Sequence, residues 1–92
     1  MDQNVTNNRP KAVTARFQLA AARLADAWAA NGSLTVTADD MALATDYLRQ
    51  VGWQVRHVEG LIVRLTDRDG RTEDVSREQA VLRALRELAS TP

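Results

Sequence analysis

The sequence predicts an α+β domain. It reads as a long N-terminal helix, a short strand, a helix, a three-stranded antiparallel meander and a C-terminal helix, with the helices on one sheet face. Three observations carry this. From Trp53 to Val75 apolar and polar residues alternate, and two glycine-closed turns, Val58-Glu59-Gly60 and Arg68-Asp69-Gly70, interrupt them. On both sides of that stretch apolar residues recur at helical spacing. Helix starts and stops stand where that spacing needs them, at Thr37 and Ser76 and at Asn31-Gly32 and Gly52.

Residues 1–9 are polar and asparagine-rich and are expected to form a disordered tail, leaving 10–90 as a single domain. Pro10 suits a first helical turn, where its missing N–H is no loss. The first helix is expected to run from there to about Ala30. Its inward stripe is Val13, Phe17, Ala20, Leu24, Ala27 and Trp28. Leu34-Thr35-Val36 reads as a short strand able to extend one sheet edge. Thr37 then caps a helix over 38–51, with Asp39 and Asp40 in its positive first turn. Its apolar arc of Met41, Leu43, Ala44, Tyr47, Leu48 and Val51 is wide enough to meet both the sheet and another helix. Ser76-Arg77-Glu78-Gln79 has the form of a capping box for the last helix. That helix turns Val81, Ala84, Leu85 and Leu88 inward and sets Arg83 and Glu87 at i,i+4 spacing.

The turns set the expected strand register. A three-residue loop at Val58-Glu59-Gly60, with Gly60 left-handed, pairs His57 with Leu61, and so Trp53 with Leu65. One face then carries Trp53, Val55, His57, Leu61, Val63 and Leu65, and the other Gln54, Arg56, Ile62, Arg64 and Thr66. The same chemistry at Arg68-Asp69-Gly70 pairs Asp67 with Arg71, Thr66 with Thr72, Arg64 with Asp74 and Val63 with Val75. Glu73 opposite Leu65 is the one poor fit.

Composition narrows the function. Twelve basic residues balance twelve acidic ones, which argues against a strongly electrostatic nucleic-acid or membrane partner. Lys11 is the only lysine among the basic residues, and with the abundant alanine this points to a GC-rich bacterial coding bias. The chain has no cysteine, so no disulfide framework or thiolate chemistry is expected. The start, Met1-Asp2-Gln3-Asn4, is not a secretory leader, and Arg16, Arg23 and Asp26 exclude a membrane span in the alanine-rich helix. A cytoplasmic location follows as the expectation.

Catalytic, metal and cofactor residues are not expected. His57 is the single histidine and is read as a structural side chain. Asp67-Arg68-Asp69-Gly70 with Glu78 has the length of a calcium loop, but its glycine stands fourth and Arg71 occupies a position that needs an oxygen ligand. The favoured reading is a non-enzymatic protein-interaction module that self-associates and acts as an accessory or regulatory protein. Its candidate surface is Ala15, Ala22 and Ala29, small side chains away from Phe17 and Trp28 that let two helices approach closely, with Leu19 beside them. The alternative is a nucleic-acid-binding regulator using Arg56, Arg64, Arg68 and Arg71. From Asp39 onward the order α-β-β-β-α is similar to that of double-stranded-RNA-binding domains, which implies phosphate contacts. Those domains open their last helix on lysines, where this chain has Ser76-Arg77-Glu78-Gln79. A winged helix is excluded by length, because positions 38–51 hold one helix and not two.

Overall fold

The computed structural model describes the backbone of residues 2–90, and side chains from Ala12 to Ser90. The order is α1 (Asp2–Asn31), α2 (Ala38–Gln50), β1 (Gln54–Glu59), β2 (Ile62–Thr66), β3 (Thr72–Ser76) and α3 (Arg77–Ser90). The α+β class and the α-β-β-β-α order of the second half are as expected. The first helix, expected from Pro10, begins at Asp2, so the backbone of residues 2–9, expected as a disordered tail, is helical; their side chains lie outside those described. The sheet is antiparallel in the order β1-β2-β3. α3 lies on β2 and β3, α2 lies on β1 and α3, and α1 packs against α2.

The core follows from the two periodicities. Val55, Val63, Leu65 and Val75 form the buried sheet face, and Ala80, Val81 and Ala84 of α3 close over it. Met41, Ala44, Tyr47 and Leu48 of α2 join the same cluster. The wide apolar arc of α2 meets the sheet side on one flank and α1 on the other. There Phe17 stacks on Tyr47 with ring centroids 4.9 Å apart. Ala20 and Leu24 complete the buried stripe of α1, but Trp28, expected in that stripe, is 47% exposed. It sits in the last turn of α1, beyond the Phe17–Leu24 contact with α2.

Leu34-Thr35-Val36 is not a strand. The segment is an irregular link whose Leu34 and Val36 side chains dock on the core one after the other. Its apolar alternation reflects that docking, and its backbone joins no ladder. Asn31-Gly32 does stop α1: Gly32 has φ +70, and its N–H bonds to the Trp28 carbonyl at 2.8 Å.

The second hairpin has the expected register throughout, with Ile62↔Ser76, Val63↔Val75, Arg64↔Asp74, Leu65↔Glu73 and Thr66↔Thr72. Arg64 donates to Asp74 through Nε at 2.8 Å and a terminal nitrogen at 3.2 Å. The Thr66 and Thr72 hydroxyls lie 3.0 Å apart. Glu73 makes sense once α3 is in place, because Arg83 reaches across to it with contacts of 2.7 and 3.1 Å. Arg83 therefore pairs with the sheet and not with Glu87, as the helical spacing suggested. Asp67 likewise takes the backbone N–H groups of Asp69 and Arg71 on Oδ1, at 2.9 Å each, which braces the turn.

The first hairpin departs from expectation by two residues. Val55 pairs with Leu65 and His57 with Val63, a bulge falls between His57 and Glu59, and Glu59 pairs with Ile62 across Gly60-Leu61. His57 therefore does not face Leu61, and Trp53 does not face Leu65. The cause lies at the end of α2. Gly52, at φ +101, sends its N–H to the Arg49 carbonyl (3.2 Å), and the Trp53 N–H goes to the Leu48 carbonyl (2.9 Å). These two bonds form a Schellman closure, which holds the Trp53 backbone on the helix and outside the ladder.

Leu65 is 1% exposed, so Leu65→Ala should lower unfolding free energy by about 2–4 kcal/mol in a urea titration; a loss under about 1 kcal/mol would contradict its place in the core. Gly52→Ala should cost about 1–3 kcal/mol, because alanine resists this φ and its Cβ would meet Arg68 Cγ at 3.0 Å. A neutral result in the same titration would contradict the closure.

Candidate interaction surfaces

Thr37 and Asp40 form a reciprocal capping box: Thr37 Oγ1 accepts from the Asp40 N–H at 3.1 Å, and Asp40 Oδ2 from the Thr37 N–H at 3.2 Å. Asp40 Oδ1 also receives the guanidinium of Arg23 from α1, so one carboxylate starts α2 and holds α1 against it. The Asp40 side chain is 2% exposed and that of Arg23 59%. Burial pushes the Asp40 carboxyl upward. The Thr37 backbone bond, the Arg23 bond, the Thr37 hydroxyl and the Arg23 charge together outweigh it and hold the group below its ordinary range. Gln50 adds a second α1–α2 link, donating to Thr14 Oγ1 at 2.7 Å.

With its inner face so engaged, α1 turns Ala15, Leu19, Ala22 and Ala29 to solvent. Leu19 is 77% exposed. The spacing from Ala15 through Leu19 and Ala22 to Ala29 keeps these residues on one side of the helix, interrupted by the exposed Asp26.

The four arginines of the sheet face and turn do not form one free patch. Arg64 is engaged by Asp74, whose carboxyl is held below its usual range chiefly by that hydrogen bond, with the Arg64 charge helping against the opposing desolvation. Arg68 has left the face: it folds under the α2–β1 junction, donating to the Val51 carbonyl at 3.3 Å and pairing with Glu87 at 2.7 Å. Glu87 also takes the Trp53 indole N–H at 3.4 Å. Arg56 and Arg71 are exposed and have no ion-pair partner among the described residues. His57 is exposed at the end of β1, and among the described residues no three His, Asp or Glu side chains gather as a metal site would require.

The structure adds a surface that the pattern of residues did not single out. A cavity of about 380 Å³ opens between α2, the β1–β2 turn and the start of α3. Met41, Ala42, Thr45, His57, Leu61 and Arg77 are among its lining residues. Leu61 belonged to the inward face in the expected register, but the bulge moves it to the turn, where it is 64% exposed. An isoleucine on the polar face, Ile62, was the available signal.

The chain matches no family model, and the comparisons with curated proteins and with solved structures found no match.

The Arg23–Asp40 pair has a definite pH signature. Asp40 is held below its unfolded value, so its contribution is full above roughly pH 4 and fades as pH falls through the lower folded value. Arg23→Ala should therefore destabilise the fold by about 2 kcal/mol at neutral pH. The gap from the parent should narrow on acidification, as read by urea midpoints across an acid series. A gap independent of pH would show that Arg23 contributes by packing alone.

Proposed function

We propose that the protein is a small non-enzymatic interaction module that pairs with a second copy of itself through the outer face of α1, in an accessory or regulatory role. The observation that carries this is Leu19, exposed in the middle of an alanine face on a helix whose opposite side packs against α2 through the buried Phe17, Ala20 and Leu24. Alanine at Ala15, Ala22 and Ala29 lets two helix axes come close. A twofold axis near Ala22 sets Ala15 of one copy against Ala29 of the other, an arrangement that satisfies both copies at once. Burying Leu19 in this way contributes about 2 kcal/mol per copy.

A bacterial cytoplasm is the proposed setting, supported by the cysteine-free, arginine-rich and alanine-rich composition. Among the described residues no helix is long and apolar enough to cross a membrane. The arginine face is the weaker candidate for a partner surface, since Arg64 and Arg68 already have carboxylate partners.

Light scattering after size exclusion tests the reading. The parent chain should run as a dimer, and Ala22→Glu as a monomer with an unchanged helical circular dichroism spectrum. Leu19→Ala should weaken the dimer by about tenfold or more in dissociation constant. A parent that stays monomeric at high concentration would overturn the proposal.

A further inference from the structure

The groove between α2 and the β1–β2 turn has the character of a second, separate binding site. Its floor is apolar, from Met41 and Ala42 of α2 and from Leu61 at the turn. Val58 and Ile62, 44% and 40% exposed, belong to the same hairpin end but lie outside the lining of the groove.

The charged lining is unbalanced. Asp46, Arg49 and Arg77 all face the groove. Arg49 is committed: it donates to the Val55 carbonyl at 3.1 Å and lies 3.8 Å from Asp46. Arg77 is only partly exposed and its guanidinium has no partner among the described residues. It also opens α3, where the positive end of the helix disfavours a cation. His57 stands on the same wall. The groove therefore lacks one carboxylate beside an apolar floor.

We propose that this groove binds a segment of a partner protein that presents an aliphatic side chain to the Met41–Leu61 floor and a neighbouring carboxylate to Arg77. The match is one of charge and polarity, since the lining has one more guanidinium than carboxylates beside an apolar floor, and octanoate in the test below separates a peptide from a small aliphatic acid. The site lies on α2, the hairpin and α3, and includes none of the α1 residues assigned to self-association.

The test uses the full chain, isotope-labelled, titrated with two blocked peptides that alternate leucine with glutamate or leucine with lysine. Amide shifts should move for Met41, Thr45, His57, Leu61 and Arg77 with the glutamate peptide and not with the lysine peptide. Arg77→Ala should weaken the glutamate peptide by about tenfold, the scale of one charge-assisted bond. Arg77→Glu should reverse the preference between the peptides while the remaining spectrum stays in place. The same shifts with both peptides, shifts elsewhere on the surface, or none at all would overturn the proposal. So would octanoate binding as tightly as the peptide, since a small aliphatic acid would then suffice. These outcomes are independent of whether Ala22→Glu changes the oligomeric state.

Discussion

The structure turns on the way α2 ends. Gly52 adopts a backbone angle that side chains resist, and with Trp53 it returns two N–H groups to the carbonyls of Arg49 and Leu48. That closure reverses the chain from the helical layer into the sheet without leaving polar backbone bare. It also decides where β1 begins, and so which residues stand opposite one another in the first hairpin. Arg68, from the far turn of the sheet, lies along the open side of Gly52 and bonds to the Val51 carbonyl. Through Glu87 the same guanidinium reaches α3 and shares a carboxylate with the Trp53 indole. A helix end, a strand start, a distant turn and the last helix thus meet at one glycine.

The other end of α2 does comparable work for α1. A single buried carboxylate, Asp40, completes the cap of α2 and receives the guanidinium of Arg23. α1 is therefore held by a stacked aromatic pair, a short apolar stripe and polar links on one side, and among the described residues Ala15, Leu19, Ala22 and Ala29 of its opposite side are exposed. This gives the molecule two kinds of surface with different origins. The α1 face exists because a helix long enough to be held on one side must present another. The groove at the hairpin exists because a bulge displaced Leu61 from the sheet into the turn. Five arginines, by contrast, Arg23, Arg49, Arg64, Arg68 and Arg83, are held in ion pairs within the fold.

Much of this was legible in the residues, and the exceptions share a cause. The second hairpin could be read in full because its pairs are chemically distinctive: Arg64 with Asp74 and Thr66 with Thr72 fit in one register only. The first hairpin has no such pairs. Alternation settles which face a residue takes, and registers two residues apart bury the same set, so nothing in Val55, Val63 and Leu65 chooses between them. The deciding bond, Trp53 N–H to Leu48, belongs to the preceding helix. Leu34 and Val36 misled for a related reason, since alternate docking of side chains from a link resembles a strand in the pattern of residues. Of the candidate surfaces, the α1 stripe was visible from helical spacing. The groove was not, because three separate segments form it.

An open sheet of three strands has outer edges, and bare edges recruit other strands into aggregates. On the β1 side two features already described act as a guard. Arg49 covers the Val55 carbonyl with a charged group, and the irregularity after His57 breaks the straight run that an incoming strand would need to follow. A chain that concentrates exposed aliphatic residues at that same hairpin end can therefore offer them to side chains without offering its backbone, which separates recognition from fibril growth.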